Sequence, residues 1–228
     1  MTTTEPEFLA AARTFYDAVA ADYADRFRDA LAASPWERAM LGVFAELVTT
    51  AGGGRVAELG CGPGRITGHL AALGLDVSGL DLSPRMVDLA RATHPEIPFQ
   101  VGSLLDLPYA DGELAGVVAW YSIIHTPAEH LPRAFAEFHR VLAPGAPLLL
   151  AFQVGDAALR IEDPWGHPVT LDFRRRQPAH IETLATDAGL RVTTRLVREP
   201  EADEKSPQAY LLALRAEQPG RPEGPGGP

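Results

Sequence analysis

Between Arg55 and Phe152 the chain alternates short apolar runs with segments of helical periodicity, and that alternation narrows its folds to a small set. Arg55–Leu59, Asp76–Asp81, Phe99–Val101 and the runs 114–120 and 148–152 read as strands. The run 114–120, Leu-Ala-Gly-Val-Val-Ala-Trp, is apolar almost throughout. Helices fit between them. One covers 66–73. A second opens on Ser83-Pro84, with serine as cap and proline at the first helical position, and carries Met86, Val87, Leu89 and Ala90. A third, striped by Leu131, Phe135, Phe138 and Leu142, ends at Pro144-Gly145. Strands apolar on both faces need helices on both faces, and helical crossovers make such strands parallel. After a loop over 154–176, residues 178–188 read as a helix stopped by Gly189, and 191–198 with 208–214 as an antiparallel strand pair. The expected fold is α/β: a seven-stranded, mostly parallel, doubly wound sheet.

Ahead of this core, residues 8–50 read as helices, with Phe8, Ala12, Phe15 and Val19 at helical spacing and a break at Ser34-Pro35. Met40, Leu41, Phe44 and Leu47-Val48 stripe the second helix, and Gly52-Gly53-Gly54 stops it. The expected organisation is an N-terminal helical lid region over 1–50, a core over 51–215 and a disordered tail over 216–228, where glycine and proline dominate and no large side chain offsets the ordering entropy. A net charge of −10 argues against nucleic acid or an anionic membrane as partner. The single cysteine, Cys61, excludes an intrachain disulfide and a cysteine-based zinc site. His69, His94, His130, His139 and His180 show no ligand spacing, so no metal is expected. No apolar run approaches the roughly 18 residues of a membrane span, and Met1 to Glu5 lacks the basic start of a signal peptide. A cytoplasmic protein is the expectation.

The strongest local signal is Glu58-Leu59-Gly60-Cys61-Gly62-Pro63-Gly64, between the first strand and its helix. Glycines at 60, 62 and 64 let the backbone turn sharply and approach a ligand, and the next helix offers free N–H groups to an anion. Asp81, ending the second strand, can accept from both hydroxyls of a ribose. Together they indicate a ribose-containing cofactor. The dinucleotide fingerprint wants glycine at its sixth position, where Arg65 stands here, and Glu58 suits an ammonium group better than a pyrophosphate.

With these residues the sequence resembles the S-adenosylmethionine-dependent methyltransferases of the Rossmann-like class, especially the small-molecule enzymes. The likeness extends through Gly79-Leu80-Asp81-Leu82-Ser83, Leu105-Asp106-Leu107-Pro108-Tyr109, Val141-Leu142-Ala143-Pro144-Gly145 and Ala188-Gly189-Leu190. It implies S-adenosylmethionine as cofactor. Gly60, Gly62 and Gly64 would shape the pocket for its methionyl end, with Glu58 near the ammonium group. Asp81 would hold the ribose, Leu82 and Met86 would pack on the adenine, and Ser103 and Leu104 would meet the adenine edge. Ser103 stands where the family often has Asp. The segment 15–23 resembles the family's lid helix, whose Tyr16 and Tyr23 would close over the cofactor; Trp120 would complete its pocket.

Methyl transfer from a sulfonium needs positioning more than acid–base help, and a base only where the acceptor must lose a proton. His125, leaving the fourth strand at its carboxyl end, is the candidate base, and Tyr121 a candidate orienting residue; packing roles are the competing readings. His167 lies on the loop that would cover a substrate, or is a plain surface histidine. In Arg174-Arg175-Arg176, alternate residues of a strand would share a face, for an anion or for solvent. The implied activity is methyl transfer to O, N or C of a small-molecule acceptor. A nicotinamide-dependent oxidoreductase and a protein that binds the cofactor without transferring methyl are the alternatives.

Overall fold

The computed structural model describes residues 6–201 and 204–216; the expected tail lies outside the described residues from position 217 onward. The chain runs through α1 (Glu7–Phe27), α2 (Ala30–Ala33), α3 (Pro35–Thr50), β1 (Arg55–Leu59), α4 (Arg65–Ala72), β2 (Asp76–Asp81), α5 (Pro84–Thr93) and β3 (Phe99–Val101). It continues through β4 (Gly116–Trp120), α6 (Leu131–Val141), β5 (Pro147–Gln153), β6 (Ala158–Glu162), β7 (Thr170–Arg174), α7 (Pro178–Asp187), β8 (Leu190–Arg198) and β9 (Gln208–Arg215). Both proline breaks carry a serine cap. Ser34 Oγ accepts from the Glu37 N–H at 3.4 Å, and Ser83 Oγ from the Met86 N–H at 3.1 Å.

Seven strands form one sheet in the order β3-β2-β1-β4-β5-β9-β8, parallel through β5, with β9 antiparallel to both neighbours. Successive residues of the central strands feed opposite faces. Val117, Ala119, Leu148, Leu150 and Phe152 pack with Phe135 and Phe138 of α6 and Ile181 of α7. Val118, Trp120, Leu149 and Ala151 pack with Leu41 and Phe44 of α3 and Leu70 of α4. The strand order reverses between β1 and β4, so a crevice opens at their carboxyl ends, where ligands of such sheets bind.

Two sequence expectations need correcting. Residues 154–176 are not an irregular loop: β6 and β7 form an antiparallel hairpin, with Leu159 opposite Phe173 and Ile161 opposite Leu171. Its apolar residues sit at period two but cover only one flank, against Ala12, Phe15 and Val19 of α1. The helical region 1–50 is also not one unit. Its first helix, α1, pairs with the hairpin as a roof, whereas α3 is buried on the sheet through Leu41, Phe44 and Val48.

Candidate functional site

The crevice holds a cavity floored by the loops after β1, β2, β3 and β4 and roofed by α1. Its shape starts from glycine. Gly60, Gly62 and Gly64 all take positive φ (78°, 53° and 83°), a region that costs a side chain energy. At Gly60 a Cβ would lie 2.4 Å from Ser122 Cβ, so only glycine lets the β1 and β4 loops meet.

Asp81 terminates β2 at the cavity wall. Its Oδ2 accepts from the Gly62 N–H at 2.7 Å and its Oδ1 from the Ser83 N–H at 2.8 Å, which locks the glycine loop to the β2–α5 turn. Each oxygen keeps a lone pair for a ligand. Burial pushes the carboxyl up to about 6, against the pull of these N–H groups and with Asp17 nearby adding to the rise. Ser83 Oγ donates to Asp17 Oδ1 at 2.5 Å, and that oxygen also accepts from the Arg85 N–H at 3.2 Å, so α1 caps α5 directly.

At the end of β4, Trp120 is buried and Tyr121 takes φ 54°, a strained conformation worth about 1–3 kcal/mol in a non-glycine residue. The Tyr121 hydroxyl faces Tyr210 at 3.4 Å, and burial raises its pKa. The following turn carries His125. Its Nε2 lies 2.7 Å from Tyr16 Oη, and its Nδ1 3.4 Å from the Asp172 carbonyl on β7. Burial lowers its pKa to about 4, with Arg174 adding to the fall, so the imidazole is neutral. Tyr16 and Tyr23 of α1 meet edge to face at 5.8 Å beneath the roof.

Of the residues singled out from sequence, Tyr16, Tyr23, Gly60, Gly62, Asp81, Leu82, Met86, Ser103, Leu104, Trp120, Tyr121 and His125 line this cavity. Glu58 and Gly64 do not. Glu58 is 1% exposed and accepts from Thr67 Oγ1 on α4, so its carboxyl sits behind the glycine loop; burial pushes it up to about 8. Gly64 is the N-cap of α4, turned away from the cavity. Ser103 Oγ accepts from the Leu105 N–H at 3.2 Å, which occupies part of its acceptor capacity.

Sequence reasoning missed Phe8, Leu9 and Ala12 of α1, and Ser122 and Thr126 after β4, all of which line the cavity. The spacing Ala12, Tyr16, Tyr23 was a usable signal for the α1 face. His167 lies away from the cavity, its Nε2 2.8 Å from Asp22 Oδ2, and ties the hairpin to α1. Arg26 stacks beside it on Trp165 at 4.9 Å. The alternation within the arginine run is real, but it turns Arg174 and Arg176 onto the turn after β4, with Arg174 also 3.7 Å from Asp172 Oδ2. Arg174 donates to the His125 carbonyl at 3.1 Å, and Arg176 to the Thr126 carbonyl.

Comparison with known proteins places this geometry. Residues 56–145 match the family described as methyltransferase domain. A malonyl-acyl-carrier-protein O-methyltransferase of Erwinia billingiae is 31% identical over 122 residues, covering 54% of this chain and 48% of that protein. An O-methyltransferase of Penicillium expansum is 30% identical over 116 residues, 48% of this chain and 41% of that protein. The matches thus span about half the length of these curated relatives. Among solved structures, magnesium protoporphyrin IX methyltransferase of Synechocystis superposes with a TM-score of 0.68 at 18% identity, covering 94% of this chain and 100% of that one. The structure described as a DhpI-SAH complex reaches 0.71 at 22% identity, covering 92% and 98%. Both share the fold. With its seven-stranded sheet and its glycine loop the chain shares the fold of these S-adenosylmethionine-dependent methyltransferases, and the match to the methyltransferase-domain family runs from β1 to the turn before β5.

Proposed function

We propose that the chain transfers a methyl group from S-adenosylmethionine to a small-molecule acceptor held beneath α1 and the β6–β7 hairpin. The observation that carries this reading is Asp81, whose two oxygens sit at the cavity wall between the Gly62 and Ser83 N–H groups. Its remaining lone pairs suit two ribose hydroxyls. Two buried polar atoms on cavity-lining residues, Ser122 Oγ and Trp120 Nε1, have no partner in the protein. A buried orphan donor costs about 1–3 kcal/mol, and the methionyl carboxylate is an acceptor of the right kind. Leu82, Met86 and Leu104 supply apolar walls for the adenine, with Ser103 at its edge. Gly60 and Gly62 give the methionyl end room, and the rings of Tyr16 and Tyr23 offer their faces to a cation. Glu58 acts from behind, holding the glycine loop to α4 through Thr67, and Gly64 starts that helix.

When bound, S-adenosylmethionine supplies a methyl group made electrophilic by its sulfonium. The residues of this chain supply position and dryness: the roof excludes water, and Asp81 and the glycine loop fix the orientation. The roofed cavity and the net negative charge favour a small molecule over nucleic acid. Arg65, at the sixth position of the glycine loop, disfavours a dinucleotide. The single cysteine, unpaired and buried, accords with a cytoplasmic setting. Among the described residues no helix is long and apolar enough to cross a membrane.

The test is incubation with methyl-labelled S-adenosylmethionine and a small-molecule extract. Label should move into extract components, and Asp81→Ala should reduce the transfer. Tight binding of the cofactor with no label transferred would make this a binding protein and overturn the reading.

A further inference from the structure

Resting on the methyl-transfer reading, we propose that the acceptor is an uncharged, largely apolar molecule carrying a weakly acidic hydroxyl, a phenol or enol, and that Tyr16 and His125 jointly take its proton. The pair is built for that direction of transfer. The Asp172 carbonyl can only accept, so the ring proton of His125 sits on Nδ1 and Nε2 presents a lone pair. Tyr16 therefore donates its hydroxyl proton to Nε2 across 2.7 Å and turns its own oxygen lone pairs outward. Both residues line the cavity, so an acceptor hydroxyl can donate to Tyr16 Oη while Tyr16 donates to His125. The turn that carries His125 is pinned from β7 and the segment after it, by Arg174 on the His125 carbonyl and Arg176 on the Thr126 carbonyl.

The same contacts decide the charge of the acceptor. Among the described residues lining the cavity there is no lysine or arginine, and the one carboxylate is Asp81. Arg174 and Arg176 give N–H groups to the His125 and Thr126 carbonyls, and neither lines the cavity. An ionised carboxylate or phosphate would enter without a cation to hold it, a costly desolvation. Phe8, Leu9, Ala12 and Leu104 provide the apolar wall beside the pair. A neutral amine would attack with its lone pair and shed its proton later to water, leaving the Tyr16–His125 contact without a task. In the step proposed, the acceptor oxygen forms its bond to the methyl carbon as the carbon–sulfur bond breaks and sulfur keeps the electron pair. The hydroxyl proton passes to Tyr16 Oη as the tyrosine proton passes to His125 Nε2. Positive charge moves from sulfur to imidazole and none is created. Because the hydroxyl becomes strongly acidic as its new bond forms, a weakly basic imidazole suffices.

Three naphthalenes of one shape test this: 2-naphthol, 2-naphthoate and 2-naphthylamine, titrated into the protein with S-adenosylhomocysteine present and followed by naphthyl fluorescence, then assayed with S-adenosylmethionine. Naphthol should bind at least about tenfold more tightly than naphthoate, whose charge finds no partner, and should yield the methyl ether. Tyr16→Phe and His125→Asn should each lower kcat by roughly 10²–10⁴, the usual share of acid–base help, while S-adenosylhomocysteine affinity stays within about threefold. Naphthoate binding as tightly as naphthol, absence of naphthol binding, or faster methylation of the amine would overturn the acceptor class. Undiminished kcat in both variants would overturn the role of the pair. Failure of the unaltered protein to bind S-adenosylhomocysteine would instead remove the methyl-transfer reading beneath it.

Discussion

Tyr16 Oη and His125 Nε2 stand 2.7 Å apart although 109 residues separate them in the chain. One comes from the roof helix and the other from the turn after β4, so their contact exists only when the roof is seated on the sheet. The pair thereby couples closure of the cavity to assembly of the Tyr16–His125 hydrogen bond.

The pH dependence of turnover follows from what surrounds that histidine: the Tyr16 hydroxyl from α1, and the Asp172 carbonyl, Phe173 ring and Arg174 guanidinium from β7. Burial first, and Arg174 after it, lower its pKa from 6.5 to about 4. The base is therefore already unprotonated at neutrality. With both substrates saturating, kcat should be flat from pH 6 to 8 and fall only as pH drops toward about 4. An inflection near 6.5 that vanishes in His125→Asn would contradict the assigned environment.

Asp81 should bind ligand and release a proton together. Its folded-state carboxyl titrates at about 6, and two hydroxyl donors on the ionised form would pull that value down. Near pH 6, calorimetry of S-adenosylhomocysteine binding in buffers of different ionisation enthalpy should report proton release, and affinity should weaken below that pH. Asp81→Ala should weaken binding by about 2–3 kcal/mol, roughly 30- to 150-fold, the worth of two hydrogen bonds to a charged acceptor. Unchanged affinity would remove Asp81 from the site.

Glu58 gives a stability test without ligand. Its folded pKa is raised from 4.5 to about 8, so the fold prefers the neutral carboxyl, and the stability it contributes is lost as pH rises through that window. Glu58→Gln keeps a neutral group beside Thr67. Its advantage over the unaltered protein should grow between pH 4.5 and about 8, by up to about 1.4 kcal/mol per pH unit, in urea unfolding. A gap that does not change with pH would mean that the carboxylate is ionised in the fold.

At Gly60, alanine brings a Cβ to 2.4 Å from Ser122 Cβ with φ at 78°. Strain and crowding together should cost about 2–4 kcal/mol, read as a lower Tm, along with loss of cofactor binding. Gly42, in α3 with open space around its Cβ, is the control: Gly42→Ala should leave Tm equal or higher.

What the sequence disclosed, it disclosed where local physics is strong. Glycines 60, 62 and 64 could be read because positive φ leaves few alternatives, and Asp81 because strand β2 ends on it. The Ser34-Pro35 and Ser83-Pro84 breaks could be read because a cap and a proline act within one turn. The hairpin escaped because Leu159, Ile161, Leu171 and Phe173 alternate over two short, half-exposed strands with Pro164 to Pro168 between them. The turn of Glu58 toward Thr67 depends on how α4 packs against β1, which no spacing announces. The Tyr16–His125 contact is tertiary throughout; each residue was conspicuous alone, and their adjacency was not.

The central claim is that this cavity is a site for S-adenosylmethionine, and calorimetric titration of the unaltered protein tests it most directly. S-adenosylmethionine and S-adenosylhomocysteine should bind with one-to-one stoichiometry and NAD or NADP should not, with Asp81→Ala weakening the binding. Binding of NAD or NADP in the absence of any affinity for S-adenosylmethionine would contradict the account.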